Sequence, residues 1–259
     1  MTPTRIAAVI PARMASKRFP GKPLLMVRGL PMVEHVRRRA LLCKRFSDVV
    51  VATCDREIEQ VVLRHGGKVV MTSPNHPAAT DRVAEAVQSL QCTHVVNVQG
   101  DEILVLPKDL ERMAAGIEEN PSAPAWNAVA PLEEAGELAD PSVVKCVLSS
   151  SGAILFCSRN FSALGEKLRS GWEPVRRVLG ILAYRRDFLE RYLTLPRTPL
   201  ETAESIDQSR ILEHGIPLLS VPFTRGYLGI NEQREVAVVQ ATLKEDPHQQ
   251  AVLEEILSG

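Results

Sequence analysis

The sequence lacks several features that would each point to a particular class of protein. Lys plus Arg and Asp plus Glu both number 31, so the net charge is zero and does not indicate a nucleic-acid or membrane partner. Neither G-x-G-x-x-G nor G-x-x-x-x-G-K-[ST] occurs, which argues against a dinucleotide fold and a Walker loop. The first apolar run, Ile6 to Ile10, ends at Pro11 and is too short for a membrane span or a signal segment. We therefore expect a cytoplasmic protein without a targeting segment.

Cysteine usage argues against two further classes. The five cysteines are an odd number, none has C-x-x-C spacing, and most lie in apolar runs. They are Cys43, Cys54, Cys92, Cys146 and Cys157. This pattern favours reduced, buried thiols over a disulfide framework or a zinc site. With 259 residues and no internal repeat, the chain is long enough for one large domain with a substantial core.

A basic loop follows the first apolar segment. The four cations of this loop are Arg13, Lys17, Arg18 and Lys22. Three prolines stiffen the loop, and Gly21 permits a close approach to a ligand or a positive φ. A buried strand that leads into a basic, glycine-containing loop and then a helix is the layout of a nucleotide phosphate site in an open α/β sheet. The plain alternative is a solvated basic turn.

The first half of the chain alternates between strand-like and helix-like segments. Apolar runs at 48–53, 68–72 and 94–105 predict strands, and helical periodicity predicts helices over 31–44, 55–67, 79–91 and 109–120. Thr80 and Asp81 are candidate caps of the third helix. This alternation predicts parallel strands joined by right-handed crossovers.

The second half predicts a smaller, β-containing portion. Residues 121–141 look rich in loops, and two strands meet in a hairpin at 150–152. A strand over about 177–184, a single amphipathic helix over 200–215, a strand over 216–223 and a terminal helix over 232–246 follow. We expect an α/β fold with a mostly parallel central sheet and a smaller β-containing portion drawn from the second half of the chain.

Asp101 lies just beyond the apolar run that starts at His94. In open α/β sheets, ligands bind at the carboxyl ends of the strands. A carboxylate at this edge, opposite a basic loop, can hold the metal that bridges nucleotide phosphates. Taken alone, an Asp at a strand end is more often a turn former or a helix cap.

Two of these stretches resemble the CMP-Kdo synthetase (3-deoxy-manno-octulosonate cytidylyltransferase) family of sugar-nucleotidyltransferases. They are PARMASKRFPGKPL, from Pro11, and VNVQGDE, from Val96. Weaker matches, VVKCVLSSSGAILFCSR, LGILAYR and ETAESIDQSRILEHG, extend the resemblance to about Ile230. The resemblance implies a nucleotidyltransferase fold, use of CTP and Mg²⁺, and transfer of CMP to an acidic acceptor with release of pyrophosphate. It also implies a homodimer, in which residues 1–120 mainly bind nucleotide and residues 121–259 mainly bind acceptor and dimerise. In keeping with the balanced charge, we expect no nucleic-acid or membrane partner.

The resemblance also implies roles for individual residues. The expected catalytic residues are Arg13, Lys22 and Asp101. The expected nucleotide-binding residues are Pro11, Ala12, Arg13, Ser16, Lys22, Gln99 and Asp101. The expected acceptor-binding residues are His76, Arg82, Lys145, Glu201 and Glu204, and the expected metal ligands are Asp101 and Asn231. Plainer alternatives stay open for some of them: an exposed loop histidine, a strand lysine with a snorkelling side chain, and a solvated or ion-paired helix face.

Several positions depart from the family pattern. Pro77, Val178 and Leu182 stand where the family has Gln, His and Tyr, and Asn231 stands where it has a second metal carboxylate. A polyol without those donors would leave hydroxyls unpaired. We therefore expect a changed acceptor, either a modified 3-deoxy sugar acid or a phosphonate or carboxy-phosphonate that supplies the missing charge. Ordinary CMP-Kdo synthesis is the second candidate, and a non-catalytic CTP- or CMP-binding module is the third.

Overall fold

The computed structural model describes residues 3–16, 18–165 and 174–258 and divides the chain into two compact units. Unit 1 comprises Met1–Ala115 and Tyr227–Gly259, and unit 2 comprises Gly116–Gly226. The last 33 residues therefore belong with the N-terminal part of the chain. Lys17, one of the four loop cations, lies outside the described residues. The assignment of nucleotide and acceptor roles to 1–120 and 121–259 stays a prediction.

Strands and helices alternate along much of the chain. The strands are β1 (Ile6–Ala12), β2 (Met26–Val27), β3 (Leu30–Pro31), β4 (Phe46–Thr53), β5 (Lys68–Met71), β6 (His94–Val98), β7 (Ala125–Ala130), β8 (Lys145–Leu148), β9 (Ile154–Ser158), β10 (Val175–Arg185) and β11 (Leu218–Pro222). The helices are α1 (Met32–Leu41), α2 (Arg56–Arg64), α3 (Ala79–Val87), α4 (Pro107–Glu119), α5 (Ser162–Gly165), α6 (Arg186–Tyr192), α7 (Pro199–Glu204), α8 (Gln208–Glu213), α9 (Glu235–Glu245) and α10 (Pro247–Ser258).

Unit 1 is built on a parallel sheet in the order β6-β1-β4-β5. All seven residues of β1 are buried, because the strand pairs with β4 on one side and β6 on the other, while α1 and α3 pack against it. A strand buried on both faces reads as a continuous apolar run, which is why β1 could be predicted from sequence. The predicted α/β fold with a mostly parallel sheet is confirmed.

The C-terminal segment completes the core of unit 1. Val239 and Leu243 of α9, together with Leu253 and Ile256 of α10, pack into one apolar cluster with residues of the β2–β3 hairpin. Helix α9 corresponds to the predicted terminal helix, whereas α10 follows it and was not predicted. The segment before these helices therefore returns to unit 1 and brings Ile230 with it.

Unit 2 contains a mixed sheet. Strand β7 pairs with β11 in parallel and with β10 antiparallel, and β8 is antiparallel to both β10 and β9. The hairpin predicted at 150–152 is present, with Cys146 opposite Cys157. The prediction of loop over 121–141 is wrong in part, because β7 lies there and all six of its residues are buried. Its sequence, AWNAVA, does not alternate between apolar and polar residues, so periodicity alone does not reveal it.

The predicted single helix over 200–215 is also wrong, because it is two helices, α7 and α8. Ser205 has φ 53° and ends α7 in the left-handed conformation. In this arrangement the Glu204 carboxylate accepts a hydrogen bond from the Arg159 backbone at 2.9 Å, and the Ser205 carbonyl accepts one from its guanidinium at 3.3 Å. Tertiary hydrogen bonds therefore accompany a break that the helical period of the sequence does not indicate.

Two smaller boundaries differ from expectation. Helix α3 begins after Ala78, which has no side chain that could cap it, so neither Thr80 nor Asp81 is the cap. Strand β6 ends at Val98 instead of continuing to Val105, because the chain turns there and the Glu102 amide donates to the Gln99 carbonyl at 3.0 Å. Among the described helices, none combines the length and the apolar character that spanning a bilayer would require.

Candidate active site

The basic loop of unit 1 is closed by hydrogen bonds to one peptide group. The Met14 carbonyl accepts from the amides of Ser16 and Gly21, both at 2.9 Å. Gly21 has φ 75°, a conformation that favours glycine, and it precedes the short 3₁₀ turn Lys22–Leu24. The loop leaves β1 at Ala12 and returns next to its own start, so Arg13 and Lys22 are held at its two ends.

Lys22 and Asp101 meet at the carboxyl edge of the unit 1 sheet. Lys22 Nζ lies 3.0 Å from Asp101 Oδ2 and donates to the Ile230 carbonyl, also at 3.0 Å. Both side chains remain partly accessible, at 14% and 20%, so they can still reach a ligand. Residues 79 positions apart in the sequence thus place a cation and a carboxylate together.

Two glycines allow the backbone around Asp101 to pack closely. A Cβ at Gly100 would lie 2.9 Å from the Pro11 carbonyl oxygen, and a Cβ at Gly229 would lie 2.7 Å from the Asp101 carbonyl oxygen. That same oxygen accepts from the amides of Ile103 at 2.8 Å and Ile230 at 3.2 Å. The turn after β6 is therefore fixed between the end of β1 and the segment that precedes α9.

A cavity of about 290 Å³ opens at this edge of unit 1. It is lined by the end of β1, the basic loop, the start of α3 and the turn after β6. The lining residues are Pro11, Ala12, Arg13, Ser16, Arg18, Lys22, Pro23, Met32, Ala78, Ala79, Arg82, Gln99, Gly100 and Asp101. Its volume is near the lower end of the ~300–1,000 Å³ typical of small-molecule sites. All seven residues predicted to bind nucleotide are among those that line it.

The part of the cavity wall that α3 contributes is fixed by hydrogen bonds to the segment that precedes this helix. Arg82 lines the cavity, is almost fully buried, and donates from Nη1 to Thr72 Oγ1. His76 does not line the cavity; its Nε2 is hydrogen-bonded to Glu85 Oε2, which also accepts from the Ser73 amide at 2.9 Å. The hydrogen bond with His76 is the main reason that the pKa of Glu85 is lowered. In this structure His76 closes a loop next to the cavity, and its contact with an acceptor stays a prediction.

Asn231 is engaged by the basic loop. Its Oδ1 accepts from Arg18 Nη2 at 2.8 Å, and its backbone amide donates to Glu235 Oε2. The predicted metal ligand Asn231 therefore uses its amide oxygen to hold a guanidinium. Within the described residues, no three His, Cys, Asp or Glu side chains converge as a metal site.

Three predicted acceptor residues belong to unit 2, where each has structural partners. Lys145 is fully buried and donates to the carbonyls of Asp140 and Val143, both at 2.8 Å, and to that of Arg159. Burial lowers the pKa of this lysine. Because its ammonium group is buried and does not reach solvent, the alternative of a snorkelling lysine does not apply.

Glu201 and Glu204 are likewise bonded within unit 2. Glu201 is fully buried between Arg197 and Arg210. Burial raises its pKa, but hydrogen bonds from Arg210 and Arg197 outweigh this and leave the pKa lowered. Glu204 accepts from Ser158 Oγ at 3.1 Å. The ion-paired alternative for this helix face describes Glu201 well, and the acceptor roles of both residues stay predictions.

Sequence reasoning missed two groups that shape the cavity. The side chain of Asp55 accepts from the Met14 amide at 2.7 Å, although the sequence suggested only that it starts a helix. Gly100 had no assigned role, yet it permits the close packing beneath Asp101. Asp55 lies just beyond the end of β4, so the strand-end argument that selected Asp101 could have selected it too.

The fold and this edge of the sheet define a class of protein. A parallel α/β sheet whose first strand leads into a closed basic loop, with one carboxylate facing the loop from β6, can bind a polyphosphate and its metal ion. These are the features of a nucleotidyltransferase.

Comparisons with known proteins narrow this class. The family model described as cytidylyltransferase matches residues 7–220. A 3-deoxy-manno-octulosonate cytidylyltransferase of Myxococcus xanthus is 43% identical over 247 residues, which cover 94% of this chain and 98% of that protein. The enzyme of that name from Escherichia coli is 38% identical over 216 residues, 82% of this chain and 85% of that protein. The chain belongs to this cytidylyltransferase family, which confirms the resemblance drawn from the sequence.

Solved structures agree with the sequence comparisons. The structure of CMP:2-keto-3-deoxy-manno-octonic acid synthetase complexed with CTP has a TM-score of 0.87 and 34% identity, covering 94% of this chain and all of that one. A cytidylyltransferase from Leptospira borgpetersenii has a TM-score of 0.65 at 17% identity, which shows a common fold only.

The expectation of a changed acceptor is not supported by these comparisons, because the relatives cover nearly the whole chain and carry the name of the ordinary enzyme. At Leu182, one of the positions that depart from the family pattern, the structure gives a physical reason for the substitution. Leu182 is only 3% exposed, so its side chain belongs to the core of unit 2 and the loss of a hydroxyl there is a matter of packing.

Proposed function

We propose that the chain catalyses the transfer of CMP from CTP to 3-deoxy-manno-octulosonate, with release of pyrophosphate. The observation that carries the proposal is the cavity that Arg13, Lys22 and Asp101 line together, with Lys22 paired to Asp101. It is supported by relatives named for this reaction at up to 43% identity and by the similarity to a structure solved with CTP.

The proposed chemistry is an in-line displacement at the α-phosphorus. A hydroxyl oxygen of the acceptor forms the new bond to the α-phosphorus, and the bond from that phosphorus to the oxygen that bridges to the β-phosphorus breaks. Pyrophosphate leaves with the bridging oxygen, and the hydroxyl proton passes to water. Little covalent work is required of the protein, so its contribution is orientation and neutralisation of charge on the phosphates. Arg13, Ser16 and Lys22 would contact those phosphates from the closed loop.

The backbone at Pro11 and Ala12, with Gln99, would form the wall against the nucleoside, since these residues line the cavity. Arg82 lines it as well and would contact the nucleotide or the acceptor. His76 is hydrogen-bonded to Glu85 of α3, whereas Lys145, Glu201 and Glu204 have their hydrogen-bond partners within unit 2. We propose that these four support the acceptor side through the backbone that they hold.

The donor set fits a magnesium ion that arrives with the triphosphate. Mg²⁺ is commonly held by one or two carboxylates together with substrate phosphates and water. Asp101 offers one partly accessible carboxylate in the cavity, whereas the Asn231 oxygen is engaged by Arg18. Asp101 would hold the ion, which would supply positive charge to offset that of the phosphates. Asn231 would keep Arg18 at the rim.

An acceptor panel tests the proposed reaction. The chain would be incubated with Mg²⁺, CTP and one acceptor at a time, and pyrophosphate release and the mass of the CMP conjugate would be measured. We expect turnover with 3-deoxy-manno-octulosonate and CTP, and little with UTP or with a simple carboxy-phosphonate. CTP binding without pyrophosphate release from any acceptor would contradict the proposal and favour a non-catalytic binding module.

We further propose that the chain forms a homodimer. On β9 of unit 2, the neighbouring side chains of Leu155 and Phe156 are 59% and 41% exposed, although both are large and apolar. Such side chains are favoured at interfaces between subunits. Light scattering on the purified chain is expected to give twice the monomer mass of 28.5 kDa, and Leu155→Glu is expected to shift it towards the monomer. A wild-type mass of one chain across micromolar concentrations would contradict this.

A further inference from the structure

Asp55 links the end of β4 to the basic loop by a hydrogen bond. It lies two positions beyond Thr53, the last residue of β4, and immediately before α2. None of the roles assigned above uses it. Its side-chain Oδ2 accepts a hydrogen bond from the Met14 amide at 2.7 Å, across 41 residues of sequence.

The register of the sheet explains why these two residues meet. Ala12 of β1 is paired with Thr53 of β4, so Met14 and Asp55 are the positions at which the same register would continue. Beyond Thr53 the chain turns into α2, and the backbone ladder between the two strands ends. The Met14 amide would then face the sheet edge without a backbone acceptor. The Asp55 carboxylate takes the place of that acceptor.

The hydrogen bond from Met14 takes the place of the helix-capping hydrogen bond that an aspartate at this position usually accepts. Asp55 is the N-cap residue of α2, where an aspartate side chain normally accepts from the first turn of its helix. No such cap hydrogen bond is present in α2. The stabilisation that a cap gives to a helix is therefore forgone, and the carboxylate is turned to the loop instead.

Met14 is also the residue whose carbonyl closes the loop. Its amide is held by Asp55, and its carbonyl accepts from both Ser16 and Gly21. A displacement of Met14 would therefore disturb the backbone at both ends of the loop, at Arg13 next to it and at Gly21, which precedes Lys22. The Asp55 bond ties this backbone to the end of β4, in addition to the side-chain bonds that Lys22 and Arg18 make outside the loop.

The charge of Asp55 does not itself favour the ligand. A carboxylate near a phosphate site repels the phosphates, so its presence has to be explained by position. The Cys54 thiol also points to Asp55 Oδ2, at 3.7 Å, and the Thr53 hydroxyl accepts from the Asp55 amide at 3.1 Å. These contacts fix the carboxylate where the Met14 amide reaches it.

We propose that Asp55 is a positioning residue for the polyphosphate site: through the Met14 amide it holds the basic loop in the form that binds the nucleotide. The proposal rests on the function proposed above, because the loop matters for catalysis only if the cavity binds CTP. Asp55 itself need not touch the substrate.

Three variants separate positioning from general stability. Asp55→Ala removes the acceptor, and Asp55→Asn keeps an oxygen that can accept from Met14 while removing the charge. Asp48→Ala is the matched control, because Asp48 is a carboxylate of the same strand that pairs with Lys68 at the surface. All three remove one negative charge near or within β4.

Hydrogen exchange of the ligand-free chain gives the first readout. We expect exchange at the Met14, Ser16 and Gly21 amides to be about tenfold faster or more in Asp55→Ala, because a lost hydrogen bond to a charged acceptor is worth about one to two factors of ten. Asp48→Ala should leave these amides unchanged. Unaltered exchange of the loop in Asp55→Ala would overturn the proposal, whatever the enzyme's substrate proves to be.

Kinetics give the second readout. In Asp55→Ala, KM for CTP is expected to rise by about tenfold, while KM for the acceptor changes less than threefold. Asp55→Asn should recover CTP binding to within about threefold of the wild type, which a role based on charge would not allow. Equal defects in Asp55→Asn and Asp55→Ala would refute the positioning role. If the wild type turned over no CTP at all, the proposed function would fail, and the exchange measurement would still decide the role of Asp55.

Discussion

Replacing Asp101 by Asn is expected to lower kcat/KM by about a thousandfold while the chain stays folded. The substitution keeps the size of the side chain and removes its charge. If Asp101 holds a magnesium ion that offsets the charge of the phosphates, the loss of its carboxylate removes several kcal/mol of transition-state stabilisation, and each ~1.4 kcal/mol corresponds to a factor of ten. Stability should change little, because the Lys22–Asp101 pair is partly exposed and such pairs contribute about 0–1 kcal/mol.

The neighbouring residue Glu102 provides the control for this experiment. It is a carboxylate in the same turn but is not among the residues that line the cavity. Glu102→Gln should keep kcat/KM within about threefold of the wild type, since it removes the same charge from the same segment without removing the ligand. The magnesium concentration for half-maximal rate should rise in Asp101→Asn only. An Asp101→Asn enzyme as active as Glu102→Gln would exclude Asp101 from catalysis.

Asp101 and Asn231 both engage cations of the basic loop. In the described residues, the Asp101 carboxylate is paired with Lys22, and the oxygen of Asn231 is engaged by Arg18. Each side chain opposite the loop thus neutralises or holds one loop cation before a ligand binds. A triphosphate with its metal ion would replace these contacts, exchanging one set of charge-assisted hydrogen bonds for another.

The parts that sequence predicted well are those specified by local pattern. The apolar run of β1, the cations beyond it and the strand leading to Asp101 are continuous segments, and parallel strands bring their carboxyl ends to one edge. From these alone, a meeting of Lys22 with Asp101 could be expected, and the structure brings them within 3.0 Å. The family resemblance followed from the same two stretches.

The parts that sequence did not predict depend on partners far along the chain. Lys145 looks like a site residue in its apolar strand, but three backbone carbonyls surround its ammonium in unit 2. Asp55 looks like a helix cap, but its carboxylate reaches Met14. In both cases the residue type fits its local segment, and only the packing of distant segments determines which hydrogen bonds form. A single sequence carries no direct signal of that choice.

Gly100 allows a prediction in which catalysis is lost through geometry alone. A Cβ at this position would lie 2.9 Å from the Pro11 carbonyl oxygen, and the obstacle is backbone, which cannot rotate away as a side chain can. In Gly100→Ala the turn after β6 must therefore move, and it carries Gln99 and Asp101, both of which line the cavity. A misplacement of about 1 Å can lower a rate about a hundredfold, so we expect kcat/KM to fall by about that factor.

The expected change in stability is smaller than the change in rate. Overpacking of a close contact costs about 1–3 kcal/mol, which a domain of ordinary stability tolerates. Gly136→Ala is the matched control, because a Cβ there would meet no atom within 4 Å. Steady-state kinetics and urea unfolding of both variants make the comparison. If Gly100→Ala were as active as Gly136→Ala, the position of Asp101 relative to the end of β1 would not limit the reaction. A hundredfold loss in a chain that still unfolds cooperatively would instead show that the enzyme depends on how closely these two backbone segments approach.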